Sequence, residues 1–412
     1  MLTWRAPWWM YMVAALYVLT FLFNARQEAW GPANAGWVPS WPTLKVAGVT
    51  PSLAMDTAGV RPGDVLEAVD GQPLTGMPGW FLARAHFERD SPIELQVRRG
   101  DQHLRLRMVI AAPSWRTWDG AHSLAVVAFY FARFVMLLLA ILVAFSRPDQ
   151  LSARLAALML AVGAVAEGYP SPGWAAALRH LPVVLALPIC LATASCLLAS
   201  LIWVAFFASF PRPRLWPRRR WALVLSPLVI LAPPIVASAI ALIYTPSLLA
   251  RPWPVTLSVA AVRIVQDIAG VAPLLYLNVL PLPQPIMQAR LLEAWLALNV
   301  LYFTAGFLML TGSLRGLEPQ ARRRAGALWF ALVIFGVITV RNVFMRNWTS
   351  WFGSAPPMLF SDASFVEDAV RFLFLLVPLT LAYCVLFQGR RAASGPARES
   401  TSGLGLHANG AR

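Results

Sequence analysis

Residues 58–71 read Ala58-Gly59-Val60-Arg61-Pro62-Gly63-Asp64-Val65-Leu66-Glu67-Ala68-Val69-Asp70-Gly71, two tight turns around one short strand. Pro62-Gly63 suits the centre of a type II turn, because Pro presets φ and Gly supplies φ > 0. Val65 to Val69 is rich in strand formers. Asp70-Gly71 is a hairpin-type stop. Working outward, Val46, Val49 and Pro51 form a V-x-x-V-x-P lead-in. A helical run, Met77 to Glu88, follows the second turn. Then Ile93 to Arg99 and His103 to Val109 alternate around Gly100-Asp101. Their period of two predicts strands, with Ile93, Leu95 and Val97 on one face and Leu104, Leu106 and Met108 repeating the pattern.

This order of elements resembles a bacterial PDZ domain, whose core string A-G-[LV]-x-x-G-D-x-[IL]-x-x-[VI]-[DN]-G is met in register by Ala58, Gly59, Gly63, Asp64, Val69, Asp70 and Gly71. The resemblance implies a small α+β fold over residues 30–112 that binds a peptide by adding it as a strand at a sheet edge. The implied groove lies between the strand around Leu44 and Val46 and the helix 77–87. Its helix side would be Phe81, Leu82 and Ala85, which serve equally as core. Gly36-Trp37-Val38-Pro39 stands where the family keeps a carboxylate-binding loop, but does not match it. Pro39 also lacks an N–H. An internal segment or a protein surface is therefore as fitting a ligand as a free C-terminus. Trp37 and Val38 complete the candidate peptide-binding set.

The rest of the chain belongs to a different solvent. Of its 412 residues, 58% are hydrophobic and 13% charged, far from the ~45–50% and ~25% of soluble domains. The apolar runs predict a polytopic membrane helix bundle, mainly α, with about 8 transmembrane helices. The small α+β domain sits between helices 1 and 2. The spans are Trp8–Phe23, Leu124–Phe145, Leu155–Ala166, Leu181–Phe210, Trp221–Ile243, Leu291–Leu310, Ala325–Phe344 and Ala369–Phe387. The division is thus a first helix in 1–24, the α+β domain, a seven-helix bundle in 119–388, and a Gly/Ala/Ser/Arg-rich tail in 389–412 expected to be disordered. Residues 257–280 are apolar but carry Arg263, Gln266 and Asp267 near their middle. They are read as a re-entrant or interfacial helix in an outer loop.

Net charge is +15, and all but one of the 34 basic residues are Arg. They cluster between apolar runs, which topology explains without nucleic acid. With the N-terminus inside, the inner connections carry sixteen Arg and the short outer ones five. That places the α+β domain on the extracytoplasmic side of a bacterial inner membrane.

Catalytic signatures are missing. The five histidines are His86, His103, His122, His180 and His407. None forms H-E-x-x-H, and no G-x-S-x-G elbow occurs. No metal or cofactor is expected, and no enzyme activity. Cys190, Cys196 and Cys384 all lie in apolar runs, as small lipid- or core-facing residues. No inverted repeat of broken helices points to transport.

Several membrane motifs are similar to the sensor half of competence-type quorum-sensing histidine kinases: Phe145-Ser146-Arg147-Pro148-Asp149, Ser152-Ala153-Arg154-Leu155, Phe207-Ala208-Ser209-Phe210-Pro211-Arg212-Pro213, and Arg371 to Tyr383 with its P-L-x-x-A-Y. These kinases also place a PDZ-like domain between their first two helices. Here no phosphoacceptor His in helical context and no ATP lid follow Phe387. The resemblance implies a sensor that binds a peptide or envelope protein and passes the signal to a separate partner, such as a kinase. The alternative is a membrane-anchored scaffold or assembly factor with no signalling role. Membrane lipid is the other expected partner. Within the spans, Arg133 lies mid-run, where a charge costs about 2.5–3.5 kcal/mol even on lenient scales. Glu167 and Glu293 are its candidate partners, in a structural ion pair or a polar pocket.

Overall fold

The computed structural model describes residues 6–39, 43–74, 77–111, 120–165, 172–211, 301–352 and 376–387, with isolated positions between 219 and 226. It is mostly helical with a small antiparallel sheet. Helix α1 is Trp8–Trp30. The small domain follows as β1 (Trp37–Pro39), β2 (Val46–Val49), α2 (Ala54–Thr57), β3 (Val65–Val69), β4 (Gln72–Pro73), α3 (Met77–Ala85), β5 (Pro92–Arg99) and β6 (Gln102–Val109). The bundle resumes with α4 (Gly120–Ser146), α5 (Leu151–Val165), α6 (Trp174–Arg179), α7 (Val183–Ala194), a 3₁₀ turn Ser195–Leu198 and α8 (Ala199–Ser209). Helices α9 (Leu301–Leu314), α10 (Pro319–Phe352) and α11 (Leu376–Leu386) complete the described chain.

The turns form as their residues dictate. Asp64 N–H bonds Arg61 O at 3.2 Å, and Gly63 has φ +97°, which closes a type II turn with Pro62 at its second position. Asp70 and Gly71 both take positive φ, 48° and 74°, as a type I′ hairpin turn requires. Strands β4-β3-β5-β6 form one sheet. Its long hairpin pairs Ile93 with Met108, Leu95 with Leu106, and Val97 with Leu104. Ile93, Leu95, Val97 and Met108 are buried and Leu104 and Leu106 half-buried, so the expected apolar face is the core face. Helix α3 stops at Ala85, short of the expected Glu88. The chain tightens there, with His86 N–H to Ala83 O and Phe87 N–H to Arg84 O.

In the bundle, α4 and α5 pack most extensively. Ala153, Ala156, Ala157, Ala161 and Ala164 on α5 are buried and let the neighbouring backbone come close. Helix α1 runs past the expected end near Asn24 to Trp30. Asn24 is 1% exposed because its amide faces the bundle rather than water.

Two helices are long and apolar enough to cross a membrane, Trp8–Trp30 and Val127–Ser146. A third span arises if the bent pair Val183–Ala194 and Ala199–Ser209 counts as one. Eight spans are therefore not seen among the described residues. Helices α5, α9 and α11 are apolar but shorter than the ~18–20 residues that a full crossing takes. The expected spans at 221–243 and most of 291–310, the segment 257–280 and the tail 389–412 lie outside the described residues. The expected single span 181–210 is corrected to two helices bent by 66°. The 3₁₀ turn breaks it, not Pro188, which sits inside α7. Ser195 Oγ donates to Ala192 O at 2.5 Å and meets Tyr17 OH at 3.0 Å, so a side chain from α1 holds the break.

Helix ends sort to two poles. At one pole Tyr11 of α1 packs on Phe145 of α4, with ring centroids 4.8 Å apart. Arg154 of α5 lies over Trp9, 5.4 Å from its ring centroid. Arg147 donates to Leu386 O of α11 at 2.9 Å, and Arg324 of α10 donates to Phe387 O. Arg322 reaches Leu314 O at the end of α9, 3.1 Å away. These guanidiniums satisfy carbonyls that helix C-termini leave open. At the opposite pole Asn24 of α1 bonds Val165 O of α5, and the small domain begins.

Candidate functional site

The expected groove strand, around Leu44 and Val46, is paired on both sides at Val46. Val46 N–H bonds Asp64 O at 2.7 Å, Gly63 N–H bonds Val46 O at 2.8 Å, and Leu66 N–H bonds Leu44 O at 3.1 Å. On its other side β2 pairs with β1, in the register Trp37 to Val49, Val38 to Gly48 and Pro39 to Val46. Val46 thus lies between β1 and the turn at Asp64 and is 1% exposed, while Leu44, half-buried, precedes β2. The pairing is non-local, which is why periodicity did not reveal it.

The outer strand is β1. Thr50 N–H bonds Gly36 O at 2.6 Å, so the alternation of an antiparallel ladder turns the Gly36 and Val38 backbone toward β2 and that of Trp37 outward. Pro39 offers no N–H on either side. The Trp37 ring faces inward and is 8% exposed. Its centroid lies 5.2 Å from Trp80 of α3, and Trp80 lies 5.6 Å from Phe87, both edge-on. The three rings tie β1 to α3 through a wall of indole. Ala85 is 1% exposed and belongs to this core. Phe81, Leu82 and Val38 belong to α3 and β1, but their side chains lie outside the described residues.

Asp64 is the residue whose role the motif did not disclose. It is 1% exposed and accepts four hydrogen bonds' worth of geometry in one pocket: Arg61 N–H at 2.9 Å, Arg99 Nε at 2.9 Å and Arg99 Nη2 at 2.9 Å on its carboxylate, while its backbone oxygen takes Val46 N–H. Arg99 Nη2 also donates to Gly59 O at 2.8 Å. Burial alone would raise the Asp64 carboxyl, but the Arg99 fork and the Arg61 N–H outweigh it and hold it below its usual 3.8. One carboxylate therefore joins the type II turn, the end of α2 and the end of β5. A signal existed in the sequence: a short acid fixed in a turn, and an Arg pair, Arg98-Arg99, before Gly100.

Arg133 is 2% exposed within α4. Its guanidinium carbon lies 4.4 Å from the Phe129 ring centroid and 5.5 Å from that of Tyr130, one turn earlier. Aromatic faces on its own helix thus share its charge. Glu167 and Glu293, its expected partners, lie outside the described residues.

The small domain is seated on the bundle through α6. Gly173 N–H donates to Arg84 O at 3.0 Å, and Arg179 Nη2 to His86 Nδ1 at 2.9 Å. Gln27 donates to Pro172 O at 3.0 Å. Trp174 Nε1 donates to Asn24 Oδ1 at 3.1 Å, and Asn24 Nδ2 to Val165 O at 3.4 Å. Gly173 needs to be glycine: its φ is +71°, and a Cβ would come within 2.6 Å of Phe87 O. Among the described residues no group of three His, Cys, Asp or Glu is placed to hold a metal ion. Searched against protein-family models, curated proteins and solved structures, the chain has no match.

Proposed function

We propose that the chain is a bacterial inner-membrane receptor whose PDZ-like domain docks an extended peptide or protein segment outside the cytoplasm, and whose bundle of about eight helices passes that event to a separate signalling partner. The observation that carries the reading is the outer strand β1, braced on α3 by Trp37 and Trp80, with the Trp37 backbone turned outward. Strand addition needs such an edge beside a helix. Pro39 ends the usable edge, which favours a short internal segment as ligand over a clamped carboxylate. The order of turns, helices and strands from Val46 to Val109 agrees with the family resemblance of residues 58–71.

The sorted helix ends support the orientation. The N-terminal end of α1, the α4–α5 and α9–α10 turns and the end of α11 share the Arg-bearing pole, and the small domain lies at the other. On the positive-inside rule the Arg pole is cytoplasmic. No chemical step is proposed for the protein.

Random peptides selected on the full chain in lipid nanodiscs test the reading, followed by photocrosslinking of the best binder from a reactive group at position 38 or at Gln102. Crosslinks from position 38 alone sustain strand addition at β1. Crosslinks from neither position, or equally from both, overturn it. A phosphatase fusion at Asp101 that is inactive would overturn the orientation.

A further inference from the structure

The seat between the small domain and α6 is held by contacts of unequal kind. Gly173 N–H to Arg84 O is indifferent to pH. The contact of Arg179 with His86 is not. A guanidinium only donates, so the Nδ1 that receives Arg179 Nη2 at 2.9 Å must be bare, and the imidazole neutral with its proton on Nε2. Protonation would put an N–H where Arg179 already points an N–H. It would remove the hydrogen bond and set two cations against each other.

We propose that the His86–Arg179 contact is an acid-sensitive latch that holds the small domain on the bundle and releases it as the outside medium acidifies. The proposal stands independently of the peptide reading. The groups around His86 favour it. From its own segment come Arg84, whose carbonyl is already used by Gly173, and the exposed Glu88. From α6 come Arg179 and the exposed His180. Among the described residues Arg179 is the charge that bears on the imidazole, and no carboxylate is placed to stabilise an imidazolium.

Burial first, and then the Arg179 charge, push His86 down from 6.5 to about 4 when the seat is closed. A released His86, in water, returns to its ordinary value. Release is therefore linked to proton uptake. The closed seat keeps its full strength above pH 6.5 and loses it progressively as pH falls toward about 4. Between about pH 8 and about pH 5 the closing equilibrium should weaken by about 30-fold.

Hydrogen exchange of the full chain in nanodiscs reads this directly, because protection of amides in 172–179 reports the opening equilibrium even when the open form is rare. Intrinsic rates are corrected at each pH, and amides in 203–208 of α8 serve as internal reference. The expected result is a fall of about 30-fold in protection at 172–179 from pH 8 to pH 5, with the reference unchanged. His86→Gln, which keeps a neutral acceptor for Arg179, should retain protection at pH 8 and lose the pH dependence. Arg179→Gln should lower protection at pH 8 and flatten the fall. Equal protection of the wild type at both pH values overturns the latch. So does an unchanged pH dependence in His86→Gln, or a fall shared by α8.

Discussion

The two halves of this molecule solve the same problem, a unique packing, with different materials. In the small domain, position is set by turn chemistry and one buried carboxylate, Asp64. Gly63, Asp70 and Gly71 take the left-handed conformations that hairpins and type II turns need, and Asp64 binds three segments through Arg99 and Arg61. In the bundle, position is set by small residues and indoles. Ala-rich α5 admits α4, and Gly306 of α9 sits under Trp203 of α8, where a Cβ would come within 2.4 Å of the ring. Among the described residues, Arg147, Arg322 and Arg324 of the bundle close helix ends at one pole, while Arg133 stays buried in α4 and Arg179 meets the small domain. On the membrane reading proposed above, the difference follows from the solvent. In water a domain of this size gains from a specified polar network. In lipid there is no hydrophobic force between helices, and close contact has to replace it.

The sharpest way to break this comparison is Trp80→Ala. Trp80 is 2% exposed and braces both β1 and Phe87, so its loss should cost about 3–5 kcal/mol. Hydrogen exchange resolved by segment should show β5 and β6 losing protection while α4 and α5 keep theirs. Joint loss would mean that the two halves unfold as one unit.

Asp64→Ala comes next, at about 2–3 kcal/mol, because the Arg61 N–H and the half-buried Arg99 fork lose their charged acceptor. Asp64 is held below its usual 3.8, so its stabilisation is complete above that pH and is lost as pH falls through the lower folded value. His86 loses its contact earlier, between 6.5 and about 4. Acid titration of the wild type should therefore undock the small domain before unfolding it, seen as exchange at 172–179 preceding exchange at β5.

Gly306→Ala probes the bundle's side of the contrast. Overpacking against Trp203 should cost about 2 kcal/mol and lower the thermal midpoint of helicity in nanodiscs, with the small domain untouched. Asn24→Ala removes a buried amide that joins α1 to Val165 O and to Trp174, at about 1–2 kcal/mol. It should weaken α6 protection at every pH equally, unlike the latch variants. Smallest of all is Arg105→Gln. Its contact with Glu94 spans 3.7 Å between exposed side chains, and its loss should change stability by under about 0.5 kcal/mol.

Much of the small domain was readable in order because its signals are local. A turn needs φ > 0 at one residue, and Gly63 and Gly71 announce it; a strand half-buried on one face alternates, and Ile93 to Met108 do. Strand 65–69 and the hairpin 92–109 follow within a residue. The pairing of Val46 was not legible because a strand of four residues looks alike at an edge or inside, and only its contacts with Pro39 and Asp64 place it between neighbours. The bundle was less legible. Run length predicted one tilted crossing at 181–210, but a hydroxyl of Ser195 and another of Tyr17, far apart in sequence, meet at a bend of 66° between two helices. Arg133 was read as needing a partner or a wet cavity; the rings of Phe129 and Tyr130 on its own helix lie beside it, and Glu167 and Glu293 lie outside the described residues.

By itself, the order of residues determined the apolar composition and the long apolar runs, the turns and strands between Val46 and Val109, and the gathering of Arg between apolar runs. These depend on each residue's own conformational freedom and solubility. Only the folded chain decided which strand lies outermost, what Asp64 holds together, where the third span breaks, and that α6 meets His86. Each of those joins residues tens to more than a hundred positions apart, and such contacts exist only once the backbone has brought them within a few ångströms.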